Sequence, residues 1–354
     1  MAIIGTSVPT VLDIAAAMGP DGTFDSERVN LLVQTNEMLA DMVWQEGNLP
    51  DGHKTNIITG LPSVAFRRIN EGVPLSKSTG AAITEGAAML EGFFQVDRQL
   101  AIMSGDVNKY RYAESRTFLE SMNQALQLYT LYGNANTMEE AFTGFGPRYN
   151  TLSGAIGGQV LDAGGTGTDN TSIYLIGWGP DTVFGIYPKN TTGGLQHEDV
   201  TVNKAAMPGS NVNGAMIGDV LSDANGRQYM GYRDHFFWNC GLAVKNYQAV
   251  ARAANIDVSD LRAGGVSAAD IVNLMVKLTY MIPTQMRKNR GPNGLWRPAF
   301  YVNSTIKAAL HIQALNKSAN TITISNVGGE EVLNILGIPI REVSQLLTTE
   351  ARVV

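Results

Sequence analysis

At 354 residues the chain exceeds what one small domain needs and predicts about two compact units. Hydrophobic residues at 44% suffice for a sizeable core and exclude a wholly disordered chain, whereas charged residues at 16% fall below a usual share of about 25%. With 38 glycines and so few charged residues, the composition suits a surface largely covered by something else, copies of the same chain being one candidate.

The first predicted element is a helix from about Ser26 to Glu46, with Asp25 and Ser26 at its N-cap and Val29, Leu32, Val33, Leu39 and Val43 at helical spacing. Residues 47–86 sustain neither a helical nor a strand period, with short extended runs at Asn56–Thr59 and Val64–Ile69. A segment of this length without a helix, yet holding Ile57, Ile58, Val64, Phe66 and Ile69, predicts a long β-hairpin that docks on a neighbour. Asn108 is placed to cap a long amphipathic helix ending at Gly133, its apolar stripe running Tyr112, Leu119, Met122, Leu126 and Tyr129 and its polar side including Arg111. Gly, Ala, Ser and Thr dominate residues 151–170 and predict a loop.

Downstream, SIYLIGWGPDTVFGIYPK (Ser172–Lys189) reads as two extended runs folded into a hairpin at Gly179-Pro180-Asp181. A β region rich in aromatics covers Gln228–Val250. Helices follow at Ser267–Met286 and Ser304–Leu315, the latter after a strand at Phe300–Val302, and further extended runs fall at Thr321–Ser325, Ile335–Ile340 and Arg352–Val354. The pattern is α+β.

Chemistry-bearing motifs are sparse. Gly165-Thr166-Gly167 lacks the third glycine, preceding strand and following helix of a dinucleotide site, and His197-Glu198 lacks the second histidine of a zinc-protease motif. The single cysteine, Cys240, excludes an internal disulfide framework and a cysteine-based zinc cluster, and fits a reducing compartment. Cys240 and His235 stand five apart in one predicted strand, so they point to opposite faces and form no catalytic pair. No catalytic residue, cofactor site or metal site is expected. The N-terminus lacks the basic front end of a secretory signal and no stretch is long and apolar enough to span a membrane, so the chain reads as soluble and intracellular when made.

Charge is segregated. Residues 1–53 hold eight acidic residues against Arg28 alone, while residues 271–329 hold seven basic residues and no Asp or Glu. Two charged clusters stand out as contact candidates: Arg67, Arg68 and Glu71 on the predicted arm, and Arg287, Lys288 and Arg290 after a helix. The second cluster suits either the phosphates of nucleic acid or the acidic N-terminal segment of an adjacent subunit. Trp296 stands alone beside it and makes no base-stacking platform.

Several motifs carry a resemblance. Ser172–Lys189 followed by Gly193–Leu195, then FFWNCGLAVKNYQAVARAANID (Phe236–Asp257), and the end Asn334-Ile335-Leu336-Gly337-Ile338-Pro339-Ile340 resemble the major capsid proteins of short-tailed and related phages, with the Hong Kong 97-type fold. The resemblance implies an N-terminal arm (1–46), an extended loop (47–90) and a peripheral domain (91–150) with a spine helix at 108–132. It further implies a mainly axial region (151–345), with strands near 228–250 returning to the peripheral domain, and a C-terminal strand (346–354). By the same resemblance the function is self-assembly into hexamers and pentamers of an icosahedral head that encloses double-stranded DNA, in the virion and assembled in the host cytoplasm. Portal and scaffolding proteins are the implied partners, with a cement protein as a further one. The family's Lys–Asn cross-linking is not expected, because nothing local marks Lys54 or Lys77 on the arm as reactive. The competing readings are a nanocompartment shell of the same fold and, from another class, a cytosolic enzyme or ligand-binding protein using the aromatic region near His235.

Overall fold

The computed structural model of the chain describes residues 9, 36–201, 219–222, 227–264, 268–287, 296–316, 322–327 and 330–354. The chain forms two compact units: one of residues 1–34, 89–125 and 194–239, the other of residues 35–88, 126–193 and 240–354.

Described structure begins with the short helix α1 (Glu37–Asp41), whose first turn is capped by the Asn36 side chain accepting from Leu39 N–H at 3.2 Å. The helix expected over Ser26–Glu46 therefore does not run through. Residues 26–35 lie outside the described residues, and by Trp44–Glu46 the chain is strand β1. The glycine at 185 decides this: a Cβ there would come within 2.8 Å of the Trp44 ring, so its absence lets β1 pair in parallel with Gly185–Tyr187. Pairing across the chain outweighs local helical spacing.

Strands β2 (Gly52–Gly60) and β3 (Thr79–Asp97) form the expected hairpin, in register from Gly52↔Gly86 to Gly60↔Thr79. The run Val64–Ile69 is not a strand, since residues 61–78 have no ladder partner and lie exposed. Helix α2 (Arg98–Met103) follows, capped by Asp97, and then α3 (Val107–Tyr132). Asp106, not Asn108, caps α3, its carboxylate accepting from the N–H groups of Asn108 and Lys109 at 3.0 and 3.1 Å. Gly133 ends α3 by permitting close approach: a Cβ would lie 2.5 Å from the Phe142 carbonyl.

The stretch expected as a loop contains α4's successor turn as well as a strand: after α4 (Phe145–Arg148) come α5 (Gly154–Gly157) and β4 (Val160–Asp162). Strands β5 (Asn170–Trp178) and β6 (Val183–Tyr187) do not make the expected hairpin, meeting only in parallel at Trp178↔Val183. Every residue of β5 is buried, and such a continuous run needs partners on both edges. Long-range strands supply them. Strands β7 (Leu195–Asp199), β8 (Asp219–Ser222) and β9 (Gln228–Val244) come next, followed by β10 (Val250–Asp257), which is antiparallel to β5.

Beyond β10, α6 (Val258–Ala263) is capped by Asp257. Helix α7 (Ile271–Met281) is capped by Asp270, three residues later than expected, and Pro283 separates it from α8 (Thr284–Arg287). Strand β11 (Arg297–Val302) takes the other edge of β5, and α9 (Ser304–Asn316) begins with the Asn303 side chain accepting from Ile306 N–H. The chain then forms β12 (Ile322–Val327), β13 (Glu330–Ile335) and β14 (Ile338–Glu342), with β14 parallel to β11.

The run expected as extended over Ile335–Ile340 folds back at Leu336 (φ 53°) and Gly337 (φ 80°), closing a two-residue hairpin with Ile335 opposite Ile338. A turn with both central residues at positive φ favours Asn-Gly, and a leucine there costs roughly 1–2 kcal/mol. Leu336→Asn is expected to raise the thermal midpoint by a few degrees; an unchanged or lower midpoint in calorimetry would show that the leucine makes a compensating contact. The expected strand at 346–354 does not form. Residues 351–354 carry no ladder, and Val353 is held on both sides by the Asn255 amide, at 2.8 and 2.9 Å.

In the smaller unit, Phe94, Val96, Tyr110, Met122, Tyr232 and Phe236 form one buried cluster, with Phe118 stacked on Phe236 at 5.7 Å. This rotates α3 away from its expected stripe: Tyr112 and Leu119 face outward while Arg111 turns inward. In the larger unit, Trp178 donates to the Tyr301 hydroxyl at 2.6 Å, which donates in turn to Asp41 at 2.9 Å.

Candidate interaction surface

The arm formed by β2 and β3 is ordered at its root and bare at its tip. Residues 61–80 are all exposed, and among them Leu61, Val64, Phe66, Ile69 and Leu75 expose between 87% and 109% of their reference surface. A two-stranded ribbon has no second layer in which to bury such side chains. Within the tip, Ser76 donates to the Ser63 carbonyl at 2.7 Å, and Asn70 takes a left-handed conformation that brings Glu71 N–H to the Arg68 carbonyl at 3.2 Å. The structure thus places Arg67, Arg68 and Glu71 together at this turn, exposed and in no ion pair among the described residues.

The root is held by charge. Glu85 of β3 receives two hydrogen bonds from Arg148, both 2.6 Å, and Arg148 also donates to the Thr143 carbonyl. Opposite Glu85 in register stands His53, edge-on to Phe184 with ring centroids 5.4 Å apart. Burial, and then the Lys245 charge, hold His53 below its ordinary pKa range. Gly52 admits the pairing, since a Cβ there would overlap the Glu85 carbonyl at 2.0 Å.

Two buried charged networks stiffen the units. In the smaller, Arg111 reaches Asp234 through two bonds at 2.6 and 3.0 Å and Asp199 at 2.7 Å, while His197 contacts the same Asp234 at 2.9 Å. Burial works against the Asp199 charge, but the hydrogen bonds from Arg111 and Thr201 hold that carboxyl below its usual range. In the larger unit Arg252 (4% exposed) donates to Glu350 (6% exposed) at 2.8 Å and to the Tyr149 carbonyl at 2.8 Å. Glu350 also accepts from the hydroxyls of Tyr132 and Ser172, and Arg252 lies over the Tyr174 ring. Burial opposes the charge of Arg252, yet Tyr174 and Glu350 bind its proton more tightly than usual. Neither network was readable from spacing: Arg111 and Asp234 are separated by 123 residues and Arg252 and Glu350 by 98.

Of the second charged cluster, Arg287 stacks on Tyr280 at 4.6 Å and donates to the Ile282 carbonyl at 2.9 Å; Lys288 and Arg290 lie outside the described residues. His235 is sandwiched by Phe93 at 4.2 Å and Phe237 at 5.0 Å and meets Glu91 at 3.2 Å. Burial pushes the Cys240 thiol up to about 12, so it is a poor nucleophile. Among the described residues no group of three or more potential ligands could hold a metal ion, and no helix is long and apolar enough to cross a membrane.

A family model described as "Major capsid protein GP7" matches residues 19–354. Among solved structures, a chain of the cryo-EM structure of bacteriophage Epsilon15 is similar at 32% identity and a TM-score of 0.74, covering 100% of this chain and 99% of that one. The bacteriophage JBD30 capsid is similar at 10% identity and a TM-score of 0.49, covering 97% of this chain and 99% of that one. The SrpI encapsulin of Synechococcus elongatus PCC 7942 is similar at 11% identity and a TM-score of 0.41, over 70% of this chain and 95% of that one. No curated protein matches.

Proposed function

The chain belongs to the major capsid protein GP7 family, and from that premise we propose how its surfaces serve the assembly of a phage head. Its role is structural: copies associate with one another to make the capsid of the virion. The finer reading divides the chain into an N-terminal arm (1–46), an extended loop (47–90), a peripheral domain (91–150) with α3 as its spine, and a mainly axial region (151–345). Hexamers and pentamers of this chain close an icosahedral shell around double-stranded DNA. Scaffolding and portal proteins, and a cement protein, are the further partners in this reading.

The observation that carries it is the bare tip of the arm. Five large apolar side chains that bury against no described residue of their own chain are stabilised by lying across a second copy. Repeating that contact closes a ring. Arg67, Arg68 and Glu71 then orient the tip by charge. The test is Arg67→Glu with Arg68→Glu. Shell closure should fail while the chain keeps its native circular dichroism and unfolding midpoint; normal particles by electron microscopy would remove both arginines from the interface.

Shell contacts in this reading are non-covalent. Nothing beside Lys54 or Lys77 on the arm marks either lysine as reactive. Mature particles boiled in detergent should run as a single band at the mass of one subunit, and a ladder of multiples would refute this.

A further inference from the structure

We propose that the larger unit carries a calcium site where the loop 162–169 meets the corner between β10 and α6, with Asp169, Asp257 and Asn170 as its side-chain ligands. All of these residues fall within that one unit. Gly165-Thr166-Gly167, which is no dinucleotide motif, shapes the cradle. A Cβ on Gly167 would stand 2.8 Å from Asp169 Oδ1 and 3.1 Å from Asp257 Oδ2, so both carboxylate oxygens face one notch that the glycine leaves open. They are at most about 6 Å apart, a gap that one cation closes by drawing each oxygen to about 2.3–2.6 Å. The other oxygen of each acid is already engaged. Asp169 Oδ2 accepts from Ser259 N–H at 2.9 Å, and Asp257 Oδ1 accepts from the Ser259 hydroxyl and Asp260 N–H at 2.8 and 3.0 Å. Among the described residues neither acid enters an ion pair, so two like charges meet here with no side-chain cation between them.

The independent sign of a ligand is Asn170. It is 0% exposed, and its buried Oδ1 has no hydrogen-bond partner, which is costly for an acceptor shut away from solvent. Asn170 stands opposite Asp257 in the register of β5 and β10, so the two side chains rise from the same face. The Asn170 amide donates to the Gly167 carbonyl at 2.6 Å, which turns Oδ1 toward the neighbouring notch at Gly165. A Cβ there would lie 2.8 Å from that oxygen, 2.5 Å from the Asn255 carbonyl and 3.1 Å from the Asp257 nitrogen. Asp257 thus borders both notches and joins them into one cradle. Gly164, Thr166 and Thr168 are exposed along the loop, so water can enter and complete the shell. Among the described residues no three His, Cys, Asp or Glu side chains converge on a metal position; the third side chain here is an amide. Oxygen donors without nitrogen or sulfur select a hard cation. An irregular set of carboxylate and amide oxygens suits Ca²⁺, which takes about six to eight ligands flexibly, over Mg²⁺, which demands a regular octahedron. Two carboxylates give an expected dissociation constant of about 10⁻⁴–10⁻³ M.

The test is calorimetric titration of Ca²⁺ into the full-length chain after stripping with a chelator. One ion should bind per chain, and about 10 mM Ca²⁺ should raise the unfolding midpoint by a few degrees while the same concentration of Mg²⁺ does not. Asp169→Asn keeps an oxygen for Ser259 N–H but removes the charge, and should weaken binding by about tenfold or more. Asp162→Asn is the control: this acid lies outside the ligand set, its Oδ1 accepting from Gly164 N–H and the Asn255 amide, and its loss should leave binding unchanged. Stability separates a ligand from a plain loop tether. Without Ca²⁺ the Asp169→Asn chain should be at least as stable as the parent, because like charges no longer meet, and with Ca²⁺ it should be the less stable of the two. Absent binding heat, an equal response to Mg²⁺, an equal loss with Asp162→Asn, or an Asp169→Asn chain weaker than the parent in both conditions would each overturn the site. All of these readings are made on the unassembled chain and stand apart from particle formation.

Discussion

Arg252→Met is expected to lower the unfolding free energy by about 3–5 kcal/mol, the range for breaking a buried ion pair by removing one partner. The cause is what stays behind. Glu350 keeps the hydroxyls of Tyr132 and Ser172 but loses the cation that offsets its burial, and the carbonyl of Tyr149 loses its donor. Methionine fills most of the vacated volume, so little of the loss is cavity. The measurement is urea unfolding of the purified chain, read by tryptophan fluorescence. A second variant separates charge from packing: adding Glu350→Met should restore a large part of the lost stability, because two apolar side chains leave no buried charge unpaired. If the double variant were as unstable as the single one, the network would matter through its shape and the ion-pair account would fall.

Phe66→Ser combined with Leu75→Ser is expected to act in the opposite way, with no effect on the chain and a large one on the shell. Both side chains are fully exposed among the described residues, so the unfolding midpoint should not move. Buried against a neighbour, each would contribute about 1.5–3 kcal/mol. Losing both from every contact raises the concentration needed for assembly by on the order of a hundredfold or more. Light scattering across a concentration series reads the threshold directly. An unshifted threshold would mean that the tip does not carry the contact proposed for it.

How much was legible in the sequence depended on the range of the interactions. The helix 107–132 and the start of α9 at Ser304 follow from local spacing and capping, and the structure has them nearly where expected; of the hairpin, its existence and the run within Gly52–Gly60 were expected, but the second strand lies at Thr79–Asp97 and not at Val64–Ile69. Local cues also misled by small steps, as when Asp106 displaced Asn108 as the cap of α3. The larger departures came where a distant partner decided the outcome. Trp44–Glu46 became a strand because Gly185 makes room for it, and Ser172–Tyr187 did not fold on itself because β10 and β11 claim both edges of β5. Arg111 read as a surface residue because its two carboxylate partners lie some ninety to one hundred and twenty positions away. For the contact surface, Arg67, Arg68 and Glu71 were visible as charges on an arm, and the structure adds that they share one exposed turn. Lys288 and Arg290 fall outside the described residues.

The tie between the far end of the chain and its interior bears on synthesis. Glu350 completes the polar shell of Arg252, and Val353 satisfies both ends of the Asn255 amide, so the centre of the larger unit lacks its partners until translation has passed residue 353. A chain ending short of residue 350 would leave Arg252 without its carboxylate partner, and one ending short of residue 353 would leave the Asn255 amide oxygen without its donor. Loss of those last residues is expected to destabilise the larger unit, and a chain that does not hold its fold is open to proteolysis before it can assemble.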